Sequence, residues 1–341
     1  MSLTDAPVPA APRIERCTCS GARRRVCDVC ESAGLSFLTC SLSCLERHLT
    51  EAHNGVVPGG SVARALAYAS ELNRRFPDSW LGFTSHRERM MGHIEQLAQG
   101  GELCVFGAGN CNDLELERLA SLFTELHLVD LDGEALERSR ERQGSEVKRK
   151  IVLHPDVDCS GMLEHLDDWG ERFPERGELA QRAVAAAEGI VRGLGRSFPV
   201  VVSACVMSQL AVPFQRAWVT SRANWGDLLS TISAVHLATL TGSTRPGGRG
   251  LIVFDTSSSK QTPALAELRS RSAEELEEFV EEAHASGGLN LRPDPKDLVR
   301  QLLSPGLRSL VVDPELSAPW LWHLGQDTQL VYSLTFRHPE G

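Results

Sequence analysis

Leu103 to Leu116 reads LCVFGAGNCNDLEL. A short apolar run, Leu103 to Phe106, breaks at Gly107-Ala108-Gly109, and beyond it Leu114, Leu116, Leu119, Leu122 and Phe123 recur at helical spacing. Strand, glycine turn and helix in that order make the first half of a nucleotide-binding βαβ unit. The next apolar run, HLVDLD, sets Asp130 at 21 residues beyond Gly109. That is close to the spacing of about 20 residues at which a carboxylate takes a ribose hydroxyl pair.

The loop also discriminates between ligands. A dinucleotide requires G-x-G-x-x-G, and the sixth position here is Asn112. Asp113, read as part of the helix's first turn, carries a charge that repels phosphates. It suits a cofactor without phosphate that bears a sulfonium and an ammonium, which describes S-adenosylmethionine.

Elements follow in alternation on both sides of this unit. KRKIVLHPDVDCSG predicts a third strand ending at Asp156 and Asp158, Val200 to Ala204 a fourth whose loop begins near Cys205, and GGRGLIVFDTS a fifth. Leu310 to His338 predicts two more, joined by a short connection into an antiparallel edge hairpin. Helical patterns at Leu179 to Leu194 and Trp225 to Leu240 lie between them. Such alternation predicts a mostly parallel sheet covered on both faces. Leu163 to Pro199 reads as a charged helical insertion, and Ser259 to Leu310 as helices over the sheet edge or the substrate mouth.

On these residues the segment from about Tyr68 to His338 resembles a class I S-adenosylmethionine-dependent methyltransferase, with a Rossmann-like sheet. The carrying motifs are V105-F-G-A-G-N110, L128-V-D-L-D132, D158-C-S-G161 and S203-A-C205. The resemblance implies that Gly107, Ala108, Gly109, Asn110 and Asp113 meet the methionine end of the cofactor. It also implies that Asp130 with Leu131 takes the ribose, Val157 and Asp158 flank the adenine, and Ser203 closes the site. Asp132 in place of Asp130, and Asp156 in place of Asp158, remain alternatives. The reaction implied is in-line methyl displacement, in which alignment of the nucleophile does most of the work. Val206 to Leu210, VMSQL, stands where an N-P-P-Y type run would point to an exocyclic nucleobase or a glutamine amide.

No obligate catalytic residue is legible. In WLGFTSHRERMM, Trp80 to Met91, His86 is a candidate base and Arg87 a candidate partner of the cofactor carboxylate, because helices here lid the site in the family resembled. Gln209 is placed to orient an acceptor. Trp218, Trp225, Trp320, Trp322 and His323 are candidates for a pocket wall, whereas Cys104, Cys111, Cys159 and Cys205 read as small buried residues.

A second unit is expected upstream. Cys17, Cys19, Cys27, Cys30, Cys40, Cys44, His48 and His53 crowd metal-type ligands into 37 residues of a chain with only 10 cysteines. Four such ligands saturate a tetrahedral zinc, so the spacing predicts two ions in a small metal-folded unit. Cys17, Cys19, Cys40 and Cys44 are assigned to one ion, and Cys27, Cys30, His48 and His53 to the other. The segment resembles the HIT-type finger and, less closely, the MYND finger, although its first pair is C-x-C and its last ligand is a histidine. These families are protein-contact modules. The expected organisation is a flexible tail (1–15), the finger (16–55), a linker (56–62) and the methyltransferase domain (63–341).

Net charge of -10 and a pI near 5.6 disfavour a broad nucleic-acid surface, and the short run Arg23-Arg24-Arg25 does not reverse that. No apolar run approaches the ~18 residues of a membrane span, and the first residues lack a signal-type apolar core. The expected setting is a reducing cytoplasm. The expected partner is a peptide or protein acceptor, with a small molecule as the alternative.

Overall fold

The computed structural model describes residues 73–74, 80–166, 174–217, 225–268 and 271–340, together with the backbone of three short strands farther upstream. Those strands, β1 (Ile14–Arg16), β2 (Arg25–Val26) and β3 (Ser36–Thr39), form a small sheet in which β3 runs parallel to β1 and antiparallel to β2. The eight predicted zinc ligands and the linker lie outside the described residues, and the expected boundary between tail and finger, at 15/16, falls inside β1.

The main body begins with a 3-10 turn over Trp80–Phe83 that leads into α1 (Thr84–Leu97). β4 (Glu102–Phe106) follows, then α2 (Leu116–Leu122), β5 (Glu125–Val129), α3 (Gly133–Glu141) and β6 (Ile151–His154). After α4 (Arg176–Leu194) come β7 (Phe198–Ala204), α5 (Trp225–Ser243) and the long β8 (Thr244–Ser258). α6 (Ala273–Ala285) and α7 (Pro295–Leu302) precede β9 (Val312–Leu316), β10 (Trp320–Leu324) and β11 (Asp327–Arg337).

The large sheet runs β10-β11-β8-β7-β4-β5-β6. Strands β6, β5, β4, β7 and β8 are mutually parallel, in the doubly wound order of a Rossmann-like fold. β11 enters antiparallel beside β8 and forms the predicted hairpin with β10. The expectation of two closing strands falls one short. β9 also pairs antiparallel with β11, lying along Leu334 to Arg337 of the edge whose other end carries β10. Its sequence, VDPEL, is half exposed and contains a proline, and therefore lacks a strand signature.

Alternation along the strands divides the core. Leu103, Val105, Leu126, Leu128, Val200 and Val202 face α1, α2 and α3. Cys104, Phe106, Val129, Val201, Ile252 and Phe254 face α4 and α5. Each fully buried aliphatic side chain contributes about 2 kcal/mol, so both faces of β4 hold the glycine loop from below. Helix ends are locally specified as well. Ser272 and Glu275 form a reciprocal capping box on α6, and Asp294 caps α7 ahead of Pro295.

Candidate functional site

β4 and β7 are neighbours in the sheet whose chain connections leave in opposite directions, which is where a doubly wound sheet opens a ligand crevice. The loop after β4 needs left-handed backbone at Gly107 (φ 73) and Gly109 (φ 46). A Cβ added at Gly107 would stand 2.5 Å from Val206 Cβ in the loop after β7. The amides of Gly107 and Ala108 both donate to Val129 O, at 2.9 and 3.2 Å, and fold the loop toward β5.

Asp130 organises this turn. Its Oδ2 accepts from Gly109 N at 2.8 Å, and its Oδ1 accepts from Asp132 N at 2.9 Å. Asp132 Oδ1 caps α3 by accepting from Ala135 N at 3.1 Å, while Oδ2 accepts from Asn73 Nδ2 at 3.0 Å. Asp132 is 4% exposed, whereas Asp130 is half-buried, so only Asp130 can offer its remaining lone pairs to a ligand. Asn73 also accepts on its backbone oxygen from Asn110 Nδ2 at 2.6 Å, and thereby clamps the loop from upstream. Nothing in the sequence around Asn73 signals that clamp.

Asp158 spends its carboxylate on its own loop. Oδ1 accepts from Ser160 N and Oγ at 2.8 and 2.6 Å, and Oδ2 accepts from Leu163 N at 2.8 Å. Asp156 is exposed, with φ 58, and Val157 is half-buried beside it. Ser203 is fully buried, and its hydroxyl donates to His236 Nε2 at 2.8 Å, while His236 Nδ1 donates to Cys159 O at 3.3 Å. That arrangement corrects the expectation that Ser203 closes the cofactor site, because its hydroxyl is used to tie β7 to α5. Leu131 packs partly against the core.

Three further expectations change. Asp113 lies in a turn and not in the helix, because Cys111 takes a left-handed conformation (φ 53) and α2 starts only at Leu116. Arg87 is 3% exposed, and it donates to Trp80 O and Asn112 O, both at 2.9 Å, with its guanidinium over the Trp80 ring. It staples α1 to the turn and has little left for a cofactor carboxylate. His86 is fully buried and stacks on Trp322 at 4.2 Å between ring centroids. Trp320 Nε1 donates to His86 Nδ1 at 3.3 Å, so the ring proton sits on Nε2, which faces Cys205 Sγ at 3.6 Å. Burial, with Arg87 alongside, holds His86 down at about 3, so the ring is neutral near pH 7 with its Nδ1 lone pair taken by Trp320.

Trp320 and His323 line a cavity of about 220 Å³ with Arg89, Arg271 and Ser272. Trp225 packs against the core, Trp322 is buried, and Trp218 lies outside the described residues. Gln209 is exposed, and its amide donates to Cys205 O at 3.1 Å. Asp255 was missed in the sequence, although a lone acid ending the apolar run Leu251 to Phe254 of β8 is itself a signal. It accepts from Ser208 Oγ at 2.7 Å, and burial raises its pKa. Cys104, Cys111, Cys159 and Cys205 are buried free thiols, as expected.

No protein-family model and no curated protein matches the chain. Solved structures similar to it include the N-methyltransferase NodS from Bradyrhizobium japonicum WM9, at TM-score 0.38 and 13% identity over 74% of this chain and 97% of that one. A SAM-dependent methyltransferase from Anabaena variabilis ATCC 29413 gives 0.35 and 13% over 70% and 76%. An rRNA methylase from Streptococcus thermophilus gives 0.32 and 10% over 73% and 95%. These are distant likenesses, and the fold rests on the strand order. Among the described residues no helix is long and apolar enough to cross a membrane.

Burial pushes Asp113 up to about 7 and Asp130 up to about 6. A carboxyl raised on folding contributes stability that is full below its unfolded value, 3.8, and is lost as pH rises through the folded value. Asp113→Asn removes that loss. The variant without ligand is expected to gain on the wild type from pH 4 to pH 8, by on the order of 2 kcal/mol at the upper end. Urea unfolding across that range measures it, and a difference that stays constant with pH refutes it.

Proposed function

We propose that this chain is an S-adenosylmethionine-dependent methyltransferase acting on a peptide or protein, with residues 16–55 forming a two-zinc module that recognises the acceptor. The observation that carries the reading is an acidic glycine loop at the switch point of a doubly wound sheet. Asp113, Asp130 and Asp132 cluster at backbone that only glycine adopts freely, an acceptor set hostile to phosphate and suited to a cationic, phosphate-free cofactor. Ala108 and Asn110 complete this loop.

In this reading Gly107 and Gly109 admit the methionine portion to close backbone contact. Asp130 accepts the ribose hydroxyls while keeping its two backbone donors. Val157 packs on the adenine, and the exposed Asp156 is better placed than Asp158 for the amino group. Bound there, the cofactor supplies a methyl group already activated for displacement. The protein's share is alignment and exclusion of water. Gln209 and the Ser208–Asp255 pair orient the acceptor from the loop after β7, and Asp255 is the carboxylate available to take its proton. A small-molecule acceptor is the second reading.

Calorimetry of the full chain with S-adenosylmethionine and S-adenosylhomocysteine tests the proposal. Binding of both is expected, and binding of neither ends the enzyme reading. Metal analysis should return two zinc ions per chain. Deleting residues 1–55 should cut turnover of a protein acceptor while sparing cofactor affinity; an unaltered rate removes the recognition role.

A further inference from the structure

A basic hollow lies apart from the glycine loop. Arg89 of α1 and Arg271, two residues ahead of α6, line the cavity of about 220 Å³ beside β10, and none of the described residues around it is acidic. α1 packs on one face of the sheet through Met90, Met91 and Ile94, whereas Leu268 and Leu276, on either side of Arg271, belong to the core of the other face. The cavity therefore wraps the outer edge of β10, where elements from both faces meet. In a chain of net charge -10, two arginines converging there on a wall without acids stand out.

Neither arginine is used up by the fold. Both are exposed, and Arg89 forms no ion pair among the described residues. Its charge bears instead on His93, whose pKa is lowered first by burial and then by Arg89. Arg271 reaches Glu275 through one nitrogen at 3.5 Å, and Glu275 gives its other oxygen to Ser272 N at 2.8 Å in the capping box of α6. A guanidinium carries five N–H donors in a planar fork, so both side chains keep donors for a ligand.

The floor beneath them is apolar. Leu268, Leu276 and Trp320 are buried, and Trp320 is fixed by its indole N–H on His86 Nδ1 at 3.3 Å. With that donor already placed, Trp320 offers the cavity only ring surface. A cleft of one sign with low-dielectric walls focuses its field and concentrates counter-ions. An oxyanion seated between the two forks takes charge-assisted hydrogen bonds from both.

Strand register relates this hollow to the crevice. Trp320 pairs with Val331, and Val331 pairs with Asp255. Two strand spacings, about 10 Å, separate the cavity wall from Asp255, a span that about three residues of extended peptide cover. Resting on the peptide-acceptor reading above, we propose that Arg89 and Arg271 form a specificity subsite for an anionic group of the acceptor, a carboxylate or a phosphate, carried about three residues from the group that is methylated.

Calorimetry of the full chain with N-acetylglutamate, N-acetylphosphoserine and neutral N-acetylglutamine tests the subsite directly, at low salt because exposed charges are screened. The two anions are expected to bind and N-acetylglutamine not to. Arg89→Gln and Arg271→Gln should each weaken anion binding about tenfold, and Arg89→Lys by less, with urea midpoints and S-adenosylmethionine affinity as in wild type. The tighter anion assigns carboxylate or phosphate. Equal affinity for N-acetylglutamate and N-acetylglutamine, with N-acetylphosphoserine no tighter, overturns the proposal, as does anion binding that survives both glutamine substitutions. A peptide array with radiolabelled S-adenosylmethionine reads the spacing. Acidic or phosphorylated residues are expected about three positions from the methylated one, and Arg89→Gln should flatten that preference. The same preference in wild type and variant overturns the assignment. An array without any methylated peptide, beside anion binding that needs both arginines, removes the peptide reading and leaves the subsite to a small anionic acceptor.

Discussion

Asp130→Ala is expected to weaken S-adenosylmethionine binding by at least about 100-fold and to cost about 2 kcal/mol of stability without ligand. Two losses coincide. The ribose loses its acceptor, and the amides of Gly109 and Asp132, which donate to Asp130 at 2.8 and 2.9 Å, lose theirs. Those two bonds tie the glycine loop to the start of α3, so the crevice loosens even before a ligand arrives. Asp130→Asn retains one acceptor oxygen and should fall between wild type and the alanine variant in both measurements. Zinc content should be the same in all three. If Asp130→Ala binds the cofactor normally, the ribose role passes to Asp132 and the loop does not depend on this carboxylate.

The second large effect is structural. Gly250 in β8 pairs with Phe336 in β11, and the aromatic ring lies across the glycine so closely that a Cβ there would occupy ring atoms. Phe336 is 1% exposed and belongs to the buried core. Gly250→Ala should therefore cost about 3 kcal/mol or more, as overpacking that moves an aromatic side chain. Phe336→Leu, destabilising alone by its cavity, should recover part of that loss when combined with Gly250→Ala. Equal urea midpoints for wild type and Gly250→Ala would show that the strand spacing relaxes freely and would refute this packing.

The path from β4 through the glycine turn to Asp130 was legible because its signals are local: an apolar run, two glycines and a carboxylate at a set spacing. The parallel order and the closing hairpin followed from alternation, and the buried cysteines from their residue type. Long-range polar burial was not legible. His86 reads as one face of a polar helix until Trp320, 234 positions away, is seen to donate to it. Nothing in the sequence around Asn73 marks it as special, yet it grips Asp132 from 59 positions upstream. Ser203 follows an apolar run just as a ligand-lining serine would, and only the approach of α5 shows that its hydroxyl belongs to His236. Asp113 was misplaced for a different reason: a cysteine in left-handed conformation delays the helix, and no periodicity marks such a residue.

The position of β11 has a consequence for how this chain is made. Its residues, 327–337, are separated by about seventy from β8, yet they fill the gap between β8 and the short outer strands. During synthesis the long apolar edge of β8 must wait without a partner while two helices and two strands emerge from the ribosome. An unpaired edge of that length is a template for joining another chain. The dangerous interval closes only when the last strand slides in, so the yield of soluble protein depends on how quickly the ribosome delivers it.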